Sequence, residues 1–122
     1  MAEAIARQLG GGSVVAYSAG LTPTGRVAKE AFSALSSLGY AADGLASKGL
    51  DDVPLADMDV IVSLLGSEGL RFLPTNTGAS LEAWPIRDPY GDDQEVFVSV
   101  ALVIEQRVKT LLHQLAEETF SL

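Results

Sequence analysis

Apolar residues recur along this chain at two different spacings, and the switches between them mark its elements. In residues 1–9 (MAEAIARQL), Ile5 and Leu9 lie about one turn apart among strong helix formers, which predicts a helix from the first residue. No Ser, Thr, Asp or Asn precedes it as a cap. Gly10, Gly11 and Gly12 end it. Residues 13–18 (SVVAYS), rich in Val and Tyr, then read as a short strand. Ala19-Gly20 and Thr22-Pro23-Thr24-Gly25 form a loop. From Arg26 to Leu38 the positions Val27, Ala31, Ala34, Leu35 and Leu38 return to helical spacing, and Gly39 is placed to stop that helix.

The second half repeats the alternation. Residues 46–58 form a connector with a short helix expected at 51–57. Residues 59–65 (DVIVSLL) are a near-continuous apolar run, the pattern of a parallel strand covered on both faces. Residues 67–73 predict a short helix, capped by Ser67 and stopped before Pro74, and 75–80 a loop. Residues 82–86 (EAWPI) read as a short strand, and Pro85 assigns it to a sheet edge. After a turn at Asp88-Pro89-Tyr90-Gly91, one long amphipathic helix runs from Gln94 to about Glu118. It carries Phe97, Val100, Ile104, Val108, Leu111 and Leu115 on one face. Helices and strands that alternate in this way predict an α/β fold: a short parallel sheet in a three-layer α/β/α arrangement.

The 122 residues suit one domain, taken as residues 1–122, and the apolar share of 48% with 20% charged is that of a folded globular chain. The formal net charge is −8, and no Lys/Arg cluster interrupts it. Nucleic acid and anionic membranes require a basic surface, so neither is an expected partner. The absence of cysteine excludes disulfides, thiolate metal sites and thiol catalysis by these residues alone. No leader pattern opens the chain and no apolar run approaches a membrane span, so the expected location is the cytoplasm.

In open α/β sheets ligands bind beyond the carboxyl ends of the strands. The loops there are Ser18-Ala19-Gly20, Gly66-Ser67 and Asp88-Pro89-Tyr90, which are expected to share one rim. An acid on that rim is placed for general-acid work, although local sequence alone favours Asp88 as a turn residue held by Pro89 and Gly91. The single histidine, His113, falls opposite Ile104 on the helical wheel and should face solvent. Asp51-Asp52 and Asp92-Asp93 fit no calcium-loop spacing and read as helix-start charges, and Trp84 reads as a packing residue. No nucleophile elbow, phosphate-binding P-loop or dinucleotide fingerprint is present.

Several segments, in order, resemble the low-molecular-weight protein-tyrosine-phosphatase family, whose fold is shared with thioredoxin-coupled arsenate reductases. Met1-Ala2-Glu3-Ala4 resembles the helix start that follows the family's phosphate loop. Ser18-Ala19-Gly20 with Pro23 and Gly25 resembles its Ser-Ala-Gly loop, and Ser47-Lys48 with residues 50–61 its approach to the third strand. Trp84-Pro85-Ile86-Arg87-Asp88-Pro89-Tyr90-Gly91 resembles the loop bearing its Asp-Pro acid, and the last helix resembles its final helix.

The resemblance implies a phosphomonoester hydrolase without a cofactor, acting on a phosphorylated protein or a small phosphate ester. Asp88 would be the leaving-group acid, with Tyr90 and Ser18 on the substrate side. Family members begin with a central strand and a Cys-x5-Arg-Ser loop, then enter the Met-Ala-Glu helix. This chain begins inside that helix. The resemblance therefore implies an N-terminally truncated fold with the first strand missing, no nucleophile, no phosphate-binding arginine, and no activity alone. Arg26 follows a different strand and is not carried over. The uncapped first helix agrees with this, and a seam of unpaired backbone groups is expected where the strand would lie. Residues 62–74 hold none of the cysteines used for arsenate reduction, which favours the phosphatase branch. The alternative is a non-catalytic phosphatase-like binding module.

Overall fold

The structure, a computed structural model, describes residues 1–21, 25–74 and 77–120. Six elements follow one another: α1 (Ala2–Gly10), α2 (Lys29–Ser37), β1 (Val60–Ser63), α3 (Ser67–Leu70), β2 (Ser80–Ala83) and α4 (Gln94–Phe120). Two 3-10 turns, Leu50–Asp52 and Leu55–Asp57, stand where one short helix was expected. The loops expected at Thr22-Pro23-Thr24 and at Thr75-Asn76 lie outside the described residues.

Helix α4 is the spine, because α1 and α2 both pack against it. Ile5 and Leu35 are wholly buried, and with Ala4, Tyr40, Trp84, Val100, Ala101, Ile104 and Val108 they form the main core. A side chain of that size, fully buried, contributes about 1.5–3 kcal/mol. Phe97, one end of the α4 stripe, joins Ala31 and Ala34 of α2 in a second cluster. The expected stripe on α4 is thus the buried one. Asp93 begins α4 as a cap, its Oδ1 accepting the Val96 N–H at 3.2 Å, a negative group at the positive helix end.

Gly39 ends α2 as the spacing predicts. Its φ of +85° suits glycine, and the Gly39 and Tyr40 amides donate to the Ser36 and Leu35 carbonyls in a Schellman closure. That closure delivers Tyr40 to the core, 8% exposed, with its hydroxyl donating to Glu105 of α4.

The sheet is smaller than expected. β1 and β2 run parallel, with Val60 opposite Ser80 and Ser63 opposite Ala83. Every residue of β1 is half-buried, not fully covered as its apolar run suggests, and among the described residues β1 pairs on one edge alone, with β2. Val62 and Leu64 still press into the main core. β2 begins two residues earlier than expected. It stops before Pro85, which has no N–H for the ladder and forms an isolated antiparallel bridge with Leu65.

Residues 13–18 are a correction. They form no strand: after the turn ending at Ser13 the backbone is extended, and residues 14–19 join no ladder among the described residues. A parallel bridge begins only at Gly20, whose N–H donates to the Lys48 carbonyl at 2.8 Å. A strand needs a partner, and Val15 (77% exposed) and Tyr17 (47%) face outward with none. A second correction concerns α3: Ser67 is its first residue and makes no side-chain cap, while Gly66, at φ +74°, precedes it. Gly69 lets α3 lie directly on the end of β1, since a Cβ there would come within 2.1 Å of Ser63 Oγ.

Burial and the neighbouring Glu105 carboxylate push the Tyr40 hydroxyl up to about 12. A raised folded value means that Tyr40 contributes stability in full below 10, the ordinary tyrosine value, and loses it as pH rises towards 12. Tyr40→Phe is expected to cost about 1–2 kcal/mol at neutral pH. Denaturant unfolding of both proteins between neutral and strongly alkaline pH should show their difference shrinking at the alkaline end. A constant difference would mean that the hydroxyl does not titrate with folding.

Candidate functional site

Among the described residues the one buried charged side chain, Glu3, stands at the start of α1. Glu3 is 4% exposed, and its carboxylate accepts three hydrogen bonds from three parts of the chain. Ser18 Oγ donates to Oε1 at 2.6 Å, Lys48 Nζ donates to the same oxygen at 3.0 Å, and Arg7, one turn along α1, donates to Oε2. Burial alone would raise the pKa of this carboxyl. The bonds from Ser18 and Lys48 and the charges of Lys48 and Arg7 outweigh that, and the carboxyl lies below its ordinary value. The network ties the first turn of α1 to the end of the extended segment and to the connector that follows α2.

Among the residues expected from sequence, Ser18 lies in this network as a donor to Glu3. Asp88 and Tyr90 form a second group. The Tyr90 N–H donates to Asp88 Oδ1 at 3.0 Å, an Asx turn that fixes the aspartate side chain against its own loop. Both residues are exposed, Tyr90 at 63%. Next to them Arg87 donates to both carboxylate oxygens of Asp92, at 3.1 and 3.0 Å. This pair closes the turn between β2 and α4. Among the described residues no hydrogen bond or ion pair joins the Glu3–Ser18 group to the Asp88–Tyr90 group.

A cavity of about 530 Å³ lies between residues 85–87 and the first turns of α4, walled by Ile86, Val96, Val100 and Val103. Neither Asp88, Tyr90 nor Ser18 lines it. Among the described residues no cluster of His, Cys, Asp and Glu could hold a metal ion. His113 faces solvent as expected, beside Glu117 at 3.1 Å. Trp84 is core, 4% exposed, with its indole N–H donating to Glu82. Asp51 and Asp52 fall in a 3-10 turn, where Asp52 accepts the Gly49 N–H.

The model of the low molecular weight phosphotyrosine protein phosphatase family matches residues 1–121. The chain belongs to this family. A glutaredoxin arsenate reductase of Synechocystis sp. is 32% identical over 117 residues, covering 95% of this chain and 88% of that protein. The crystal structure of an arsenate reductase from Archaeoglobus fulgidus superposes with a TM-score of 0.78 at 31% identity, over 92% of this chain and 87% of the other. An arsenate reductase solved in the phosphate binding state gives 0.76 at 28% identity, over 93% and 86%. These relatives are arsenate reductases by name, whereas the lack of cysteine in residues 62–74 had pointed to the phosphatase branch. No described helix is long and apolar enough to cross a membrane.

Glu3 and Lys48 were missed by the sequence reading. The spacing of Glu3 to Arg7, one helical turn, was the one local signal available. Ser18 and Lys48 reach Glu3 across 15 and 45 residues, which no local pattern records.

A lowered folded value means that Glu3 contributes stability in full above 4.5, the ordinary carboxyl value, and loses it as pH falls through the lower folded value. Glu3→Gln is expected to lose about 1.5–3 kcal/mol at pH 7. Urea unfolding should find the two proteins converging in acid below that value. An equal gap at neutral and acid pH would show that the carboxylate charge contributes nothing.

Proposed function

We propose that this chain is the acid-bearing part of a phosphomonoester hydrolase domain of the protein-tyrosine-phosphatase type, without turnover of its own. The observation that carries the reading is the pairing of family membership across residues 1–121 with an exposed Asp88 on a fixed Asx turn. The turn uses Oδ1, and Oδ2 is the oxygen that would carry a proton to a leaving alkoxide or phenoxide. Tyr90, exposed on the same loop, offers a ring face to an aryl substrate. The substrate would be a phosphorylated protein or a small phosphate ester.

Attack on phosphorus in this chemistry needs a thiolate, and reduction of arsenate needs thiols as the two-electron donor. None of the 122 residues is cysteine. Neither reaction can therefore be completed by these residues alone. The names of the relatives support a site for tetrahedral oxyanions in general. The second reading, a non-catalytic binding module, rests on the same lack of a nucleophile.

The purified chain is expected to hydrolyse 4-nitrophenyl phosphate no faster than buffer, with no response to iodoacetamide. Turnover well above buffer would overturn the reading. Translating the coding sequence upstream of Met1 separates the two classes. An in-frame strand followed by Cys-x5-Arg-Ser supports the hydrolase, and a stop codon without that motif supports the binding module. In a protein carrying that loop, Asp88→Asn should lower kcat by about 10²–10⁴-fold. An unchanged kcat would remove Asp88 from the chemistry.

A further inference from the structure

The segment between β2 and α4 that carries Asp88 is held by overlapping closures. First, the Tyr90 N–H donates to Asp88 Oδ1 at 3.0 Å. Second, the Asp92 N–H donates to the Pro89 carbonyl at 2.8 Å, and Gly91 supplies the φ of +87° that the third position of a type II turn needs. Third, one nitrogen of Arg87, Nη2, donates to both carboxylate oxygens of Asp92, at 3.1 and 3.0 Å. The third closure spans the other two.

The stems on either side are fixed separately. Ile86 presses into the main core, and its N–H donates to the Leu64 carbonyl at 3.3 Å. Asp93 caps α4. Residues 87–92 lie between these anchors. The first two closures shape the inside of this segment, and neither reaches back to Arg87. Among the described residues only the Arg87–Asp92 pair joins its two ends. That pair therefore sets how the inner turns are tilted between the anchors.

An ion pair whose side chains are 66% and 30% exposed contributes little to overall stability. Its effect is on orientation. Asp88 follows Arg87 directly, so a rotation of the Arg87 backbone swings the Asp88 carboxyl with it. Proton transfer needs that carboxyl within about 2.6–3.2 Å of the accepting oxygen, and a tilted turn loses the contact.

We propose that Arg87 is the positioning residue of Asp88, acting through Asp92. This role rests on the reading of Asp88 as the leaving-group acid and adds how that acid is held.

Amide hydrogen exchange, followed by NMR on the chain itself, tests it. The Tyr90 amide reports the bond to Asp88 Oδ1, and the Gly39 and Tyr40 amides report the unrelated closure of α2. Arg87→Ala and Asp92→Ala should each speed exchange at Tyr90 by about 2–5-fold, the factor that matches an exposed ion pair. Because both break one bond, the double variant should be no faster than either single variant. Arg87→Lys keeps a cation for Asp92 and should recover most of the protection. Gly39 and Tyr40 should not change. The proposal is overturned by an unchanged Tyr90 rate, by additive effects of the two substitutions, or by an equal rise at Gly39 and Tyr40.

In a protein carrying the Cys-x5-Arg-Ser loop, the loss of kcat/KM in Arg87→Ala should grow with the pKa of an aryl leaving group. Asp88→Asn should show the same trend, since poor leaving groups depend most on the acid. A flat loss in Arg87→Ala beside a graded one in Asp88→Asn would overturn the positioning role and keep the acid. A flat response in both would remove the acid, and the proposal with it, even where Tyr90 exchange responds.

Discussion

The burial of one face of α4 against α1 and α2 is the interaction on which the rest stands. The two-stranded sheet cannot support itself: a parallel pair of four-residue strands is well below the size that is independently stable. It persists because Val62, Leu64 and Ile86 are held against a core made by the helices. The loops that carry Asp88 and Tyr90 inherit their position from the same source. Asp93 caps α4 a few residues after Asp88, so the turn between β2 and α4 is anchored at its far end by the spine itself.

Against this apolar frame, the Glu3 network is polar and specific. A buried carboxylate without partners would be strongly unfavourable, and here every donor comes from a separate part of the chain. Ser18 and Lys48 cannot both satisfy Glu3 unless the end of the extended segment and the connector take one arrangement relative to α1. The bridge from Gly20 to Gly49 follows directly, since it lies two residues beyond Ser18 and one beyond Lys48. This group therefore sets register where the sheet does not.

Helices were legible in the sequence because their signals are local. The α4 stripe, the glycine stop at Gly39 and the helix-start charge at Asp93 each involve residues within a turn or two. β1 was found for the same reason, by its apolar run. Residues 13–18 were misread because valine and tyrosine report a readiness to be a strand, while pairing depends on a neighbour elsewhere. The end of β2 was misplaced because the run through Trp84 and Ile86 looked continuous, although Pro85 cannot donate to a ladder. The family was legible through ordered short motifs. The carboxylate at the centre of the enclosed network was not, since Ser18 and Lys48 come to Glu3 only through tertiary packing.

Gly69 has a consequence for sequence variation. It bears no side chain, yet a methyl group there would strike Ser63 Oγ and crowd Leu65 where α3 rests on β1. These obstacles lie at the end of β1 and two residues beyond it. This position is closed to drift for steric reasons alone, and a strict glycine in natural variants would mark a tight joint between backbone segments instead of a ligand contact.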